Sequence, residues 1–242
     1  MTIPKVDIQD VPVRILLINA SPDQQDHTKD LVDCALEGAR SVGNVETEVY
    51  DFMGKEFYPC KGCVEYCLKH TKCVTKDALA ELAESWTKAD GVIWAMPIYA
   101  FGTASQPRSF IDRFGEMIFQ TKWPERAPWW RFATPVGTIL NGPSDHGSFD
   151  MEAIGVMSHQ ILINAIHVPG DNLASDLGVL GRFAEGETLA DRPDLQESAR
   201  RLGVRVTEMA KFLTIGKLSV ADGLDEVYFC AKGDYTKSAK PV

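Results

Sequence analysis

An open, doubly wound sheet of five parallel strands with helices on both faces is the fold that this 242-residue chain predicts. Three observations carry the expectation. Short apolar runs recur along the chain, closed by a proline or a polar turn, as strands buried on both faces require. Segments with a helical apolar period separate those runs. Hydrophobic side chains make up 45% of the residues, enough for one sizeable core. Strands that alternate with helices pair in parallel, because each helix crosses back over the sheet.

Residues 1–12 read as a polar leader ahead of a domain spanning 13–214. The first strand is Val13–Asn19, and a helix from Asp26 to Ala39 follows with Leu31, Val32, Ala35 and Leu36 on one face. Val45–Tyr50 alternates as a second strand. The cysteine-rich stretch 58–76 is expected as loop. Asp77 then caps a helix reaching Lys88, with Leu79, Leu82 and Ala83 inward. Gly91–Met96 is the third strand, stopped by Pro97. Helix Ser105–Phe119, strand Pro135–Leu140, helix Phe149–Asn164 and the short strand Ala165–Val168 complete the alternation. After an irregular stretch comes a last helix, Asp191–Leu213. Residues 120–134 and 215–242 are extra to this core, an insertion and a C-terminal extension. Five such units predict a flavodoxin-like sheet, whose ligand sits beyond the carboxyl ends of the strands.

A formal net charge of −9 argues against nucleic acid as a main partner, since phosphate backbones select basic faces. No apolar run approaches the roughly 20 residues that span a bilayer. The start, MTIPKVDIQDVPVR, has no signal-peptide apolar segment, so a cytoplasmic chain with reduced thiols is expected. In that compartment a cysteine cluster points to metal or redox chemistry ahead of structural disulfides.

Three post-strand loops form the candidate site. The first, Asn19–Thr28, opens a helix; the hydroxyls of Ser21 and Thr28, with backbone N–H groups at the helix start, suit a phosphate. No G-x-G-x-x-G follows this strand and no G-x-x-x-x-G-K-[ST] occurs, which argues against a dinucleotide grip or a triphosphate loop. In the second, Pro97, Ile98, Tyr99, Ala100, Phe101 and Gly102 offer a bed for a planar ring; Gly102 permits close backbone approach. The third, Asn141–Gly147, is turn chemistry and lines the other side of a flat ligand through Asn141, Gly142, Ser144 and Gly147, with His146 as a weak candidate proton donor.

Cys60, Cys63, Cys67 and Cys73 fall within fourteen residues at C-x2-C-x3-C-x5-C spacing. Thiolates this close suit one inorganic centre. An iron–sulfur cluster fits the compact run. Zinc also takes four thiolates, though usually from two C-x2-C pairs, and free thiols without metal stay open. Lys61, Lys69, Lys72 and His70 surround the sulfurs and are expected to favour thiolate. Cys34 and Cys230 read as packing residues. Asp112 and Arg113 read as a structural pair or a dimer contact. Trp123, Trp129 and Trp130 suit a pocket cover or a subunit interface.

The chain resembles the iron–sulfur flavoprotein branch of the NADPH-dependent FMN reductase superfamily. Three motifs carry the resemblance: INASPDQQDHT, YPCKGCVEYCLKHTKCVTKDAL and ADGVIWAMPIYAFGTASQPRSFIDRF. It runs from about Val13 to Val168, with a weaker echo to Val206. The resemblance implies bound FMN, a [4Fe–4S] cluster on Cys60, Cys63, Cys67 and Cys73, and a homodimer or homotetramer. The family's second cysteine gap is two residues and here is three. Its basic residue after Ser-Pro is Asp23 here, which leaves the phosphate to Ser21, Gln24, Thr28 and backbone N–H groups. The activity implied is an FMN-dependent oxidoreductase passing electrons from NAD(P)H or reduced ferredoxin to a small acceptor such as a quinone. A cluster-free NAD(P)H:FMN or quinone reductase is the alternative. A non-enzymatic electron carrier or thiol redox sensor is another.

Overall fold

The computed structural model describes residues 6–23, 27–70, 72–120, 134–143, 148–163, 165–170 and 177–228. Among them the strands are β1 (Val13–Asn19), β2 (Val45–Asp51), β3 (Gly91–Tyr99), β4 (Gly102–Thr103), β5 (Pro135–Pro143), β6 (Ile166–Val168) and β7 (Val179–Phe183). The helices are α1 (His27–Ser41), α2 (Val64–His70), α3 (Leu79–Lys88), α4 (Ser105–Gln120), α5 (Phe149–Leu162) and α6 (Pro193–Tyr228). The main sheet runs β2-β1-β3-β5-β6, all parallel. The doubly wound, flavodoxin-like architecture is the predicted one.

Strand alternation divides the core in two. Leu16, Ile18, Val92, Trp94 and Met96 point to a layer built by α3, α4 and α5. Ile15, Leu17, Ile93 and Ala95 point to a layer built by α1 and α6. Helices α1 and α6 meet backbone to backbone. A Cβ on Gly38 would lie 1.9 Å from the Arg200 carbonyl oxygen, and one on Gly203 would lie 2.0 Å from that of Ala35. Only glycine lets these backbones touch.

Several expected boundaries are corrected. Among the described residues the sheet has seven strands, not five. The fifth position is shared: β6 pairs with Pro135–Gly137 of β5, and β7 pairs with Ile139–Pro143. The two-residue β4 turns back on β3. Pro97 does not stop β3. Ala95 accepts a bond from Ala20, so Pro97, two residues on, turns its missing N–H toward β1 just where β1 has ended. Its carbonyl accepts from Ala104 N–H at 3.4 Å instead. Asn141, Gly142 and Pro143 belong to β5, not to a loop. The cysteine stretch contains a helix, α2, which holds Cys67. The last helix passes Leu213 and continues to Tyr228, and no proline interrupts residues 194–240. Among the described residues no helix is long and apolar enough to cross a membrane. The expected roles of Trp123, Trp129, Trp130 and Cys230 lie outside the described residues.

Candidate functional site

The first and third predicted loops meet at the carboxyl edge of the sheet. β1, β3 and β5 are neighbours, and Asn141 sits opposite Pro97 in the register. Ser21 and Thr28 are fully buried there. The Thr28 hydroxyl donates to Asn141 Oδ1 at 2.7 Å, tying the start of α1 to the end of β5. The Asp23 backbone N–H donates to Ser21 Oγ at 3.1 Å. Asn19 reaches the other way, donating to Asp51 Oδ1 at 2.9 Å. Gly142 packs on Ile98, where a Cβ would come within 3.3 Å of the Ile98 Cβ. Gln24, Ser144, His146 and Gly147 lie outside the described residues.

The ring bed of the second loop is a hairpin turn. Tyr99 pairs with Gly102, leaving Ala100 and Phe101 as the two turn residues. Their φ angles are +48° and +67°. Positive φ at both central positions is the geometry that matches strand twist, and it usually calls for Asn or Gly. Here the strain falls on Ala100 and Phe101, and Gly102 is not the residue that needs special freedom. A left-handed conformation costs each of these L-residues about 1–2 kcal/mol. The turn holds two exposed aromatics, Tyr99 at 47% and Phe101 at 65% of full exposure. Pro97 and Ile98 are buried beneath them.

The four thiols of the cysteine stretch share one neighbourhood. Burial pushes the Cys67 thiol up, and the nearby Cys63, Cys73 and Cys60 thiols push it further. The flanking lysines therefore do not favour thiolate at Cys67, contrary to expectation; its sulfur neighbours are closer in effect than the cations. Cys60, Cys63 and Cys67 line a cleft of about 650 Å³. Its opposite walls are α4 (Arg108, Ile111, Asp112) and α5 (Gly155, Ser158, His159). Cys73 is partly buried and packs on the aromatic core, near enough to Cys67 to act on its thiol.

Asp112 and Arg113 do not pair with each other. Asp112 takes a bond from Arg108 at 3.0 Å, while the buried Arg113 pairs with Asp77 across from α4 to the end of the cysteine stretch. Asp77 also accepts the Leu79 N–H at 3.2 Å, though Ala78 occupies the cap position of α3. Arg113 further donates to Cys73 Sγ at 3.2 Å. A charged residue on the stripe of Phe110, Ile111 and Phe114 is the sequence signal that could have revealed this contact. His159 could not have been found so readily. It is 93% buried against Trp94, whose ring lies 6.2 Å away at a right angle. Neither of its ring nitrogens meets a well-aligned hydrogen-bond partner. Burial, then the Arg108 charge, brings its pKa down to about 4, with the Ile111 backbone pulling weakly the other way. Phe183 of β7 stacks on His27 at 3.8 Å beside the α1 start, a contact hidden by the missed strand.

A parallel sheet with hydroxyls, amides and a strained aromatic turn at its carboxyl edge defines a flavodoxin-like, flavin-dependent oxidoreductase. The chain belongs to the NADPH-dependent FMN reductase family, which matches residues 13–176, and to its iron–sulfur flavoprotein branch. An iron–sulfur flavoprotein of Methanocaldococcus jannaschii is 30% identical over 203 residues, 83% of this chain and 99% of the relative. One from Methanosarcina thermophila is 32% identical over 192 residues, 78% of this chain and 93% of the relative. In structure the chain is similar to RosB with a bound formylriboflavin phosphate intermediate, at a TM-score of 0.64 and 17% identity, covering 95% of this chain and 89% of that one.

Proposed function

We propose that this protein is an FMN-dependent oxidoreductase with a [4Fe–4S] cluster. It passes electrons from NAD(P)H or reduced ferredoxin to a small acceptor such as a quinone, acting in the cytoplasm as a homodimer or homotetramer. The observation that carries the reading is the gathering of four thiols around Cys67, on a loop tied by Arg113 to the helix that follows the ring-bed turn.

The residues fit both groups. The Cys67 thiol, pushed up by burial and by its sulfur neighbours, calls for positive charge beside it, which iron would supply. Zinc holds its sulfurs at about 2.3 Å. Among the described residues no three His, Cys, Asp or Glu side chains converge on a single-ion site; a cluster is wider than one ion and spreads its ligands further. For FMN, the start of α1 with Ser21 and Thr28 would hold the phosphate. The 97–102 turn and Asn141–Gly142 would hold the ring. Bound FMN and the cluster supply the electron chemistry. The chain orients the ring by the strained turn, keeps the thiols together, and leaves a cleft of about 650 Å³ at the cysteines, a size suited to a small planar acceptor.

Anaerobic purification followed by iron, sulfide and flavin analysis tests this. About four irons and one FMN per chain are expected. FMN without iron would turn the reading to the cluster-free reductase. Rapid turnover with a small acceptor separates an enzyme from an electron carrier.

A further inference from the structure

We infer that Arg113, held by Asp77, clamps the cysteine loop and sets the reduction potential of the centre bound there. This rests on the cluster proposed above.

The guanidinium side chain is 1% exposed and its Asp77 partner is 0% exposed. Arg113 Nη1 donates to the Tyr58 carbonyl at 3.0 Å and to Asp77 Oδ2. Nη2 donates to Asp77 Oδ1 at 2.9 Å, to Cys73 Sγ at 3.2 Å and to the Thr75 carbonyl at 3.4 Å. Asp77 in turn accepts the Tyr58 N–H at 2.8 Å. One planar fork thus joins the two stems of the loop, Tyr58 before Cys60 and Thr75–Asp77 after Cys73. A lysine, as a point donor, cannot make this set of bonds.

The electrical consequence follows from the N–H···S contact. Reduction adds a negative charge to a cluster spread over its thiolates. A cation donating to one thiolate stabilises the reduced form, and a nearby carboxylate opposes it. Burial keeps water from screening either effect. The two partners should therefore move the potential in opposite directions. A purely structural role would not do so, since both substitutions would only loosen the loop.

The experiment is an EPR-monitored redox titration of anaerobically purified full-length protein, with iron content and circular dichroism recorded for each sample. Arg113→Gln should lower the reduced-to-oxidised ratio at a fixed poise at least tenfold, a 59 mV fall for a one-electron couple. Asp77→Asn, which removes the charge and keeps one of the two acceptor oxygens that Tyr58 and Leu79 use, should raise the midpoint. Arg113→Lys should fall between wild type and Arg113→Gln. If Arg113→Gln sheds its iron, the Asp77→Asn and Arg113→Lys shifts decide. Iron-loaded variants that titrate with wild type, or shift the same way, overturn the inference and leave the cluster standing. Wild-type protein without iron overturns both.

Discussion

The two faces of the sheet are built on opposite plans. The α1–α6 face is aliphatic and sealed by backbone contact at Gly38 and Gly203. The α3–α4–α5 face is aromatic, with Trp86, Trp94, Phe110 and Phe114 rings 4.9–5.5 Å apart in successive pairs. It also carries the polar liabilities: the Arg113–Asp77 pair, the poorly bonded His159, and an unbonded Trp94 Nε1. Buried polar groups without partners cost free energy. They cluster on the face where the cysteine loop and the cleft lie. One face supplies rigidity so that the other can hold chemistry under strain.

The largest test strikes the scaffold. Gly203→Ala places a methyl 2.0 Å from a carbonyl oxygen of a neighbouring helix, and backbone cannot swing aside as a side chain can. The helices must separate, at a cost of about 4 kcal/mol. Urea denaturation should show the variant largely unfolded, or with a midpoint lowered by most of the protein's stability.

The next test is acid. The His159 pKa is about 4 in the folded protein against an ordinary 6.5. Between those values the unfolded chain binds the proton and the folded one does not. Stability from keeping this imidazole neutral is complete above about pH 6.5 and falls as pH drops toward 4. The loss is about 3 kcal/mol at most. The charged neighbour on α4 is Arg108, which acts in the same direction as burial. Urea midpoints at pH 7 and pH 4.5 should diverge more in wild type than in His159→Phe. Equal slopes would show that the imidazole is already protonated or solvated.

What could be read from the sequence follows the same division. The apolar runs revealed β1, β3 and β5, and helical periodicity revealed α1 and α4, because burial on both faces leaves a continuous pattern. β7 was missed because Val179–Phe183 contains a glycine and an arginine and sits at an edge. The end of β3 was misread because Pro97 is a breaker only when its N–H is needed. The four cysteines announced themselves by spacing. Their clamp did not, since Arg113 and Asp77 are 36 positions apart and meet only through the fold. Ser21, Thr28 and Asn141 were legible as turn chemistry, but the bond joining Thr28 to Asn141 needed the register of β1, β3 and β5.

The aliphatic face carries a buried charge too. Lys211 is fully buried on α6 and donates to the Gln9 and Gly43 carbonyls, the first at 3.3 Å. Burial lowers its pKa. Lys211→Met removes the charge but leaves both carbonyls without this donor. A net loss of about 1–2 kcal/mol is expected by thermal unfolding at constant pH. A gain in stability would mean that the charge is a liability on this face too.

The smallest effect sharpens the contrast most. Gly115 lies on α4 where it meets α5, as Gly203 lies on α6 where it meets α1. Its added Cβ would meet only side-chain atoms, Leu162 Cδ2 at 3.3 Å and His159 Nε2 at 3.4 Å. Leu162 is 46% exposed and can turn away. Alanine also improves a helix interior by about 0.8–1.0 kcal/mol over glycine. The two terms nearly cancel, so Gly115→Ala should unfold within about 1 kcal/mol of wild type. If it instead destabilised as strongly as Gly203→Ala, the α4–α5 contact would be as rigid as the α1–α6 seam. The cleft beside the cysteines would then have no wall able to yield to an entering molecule.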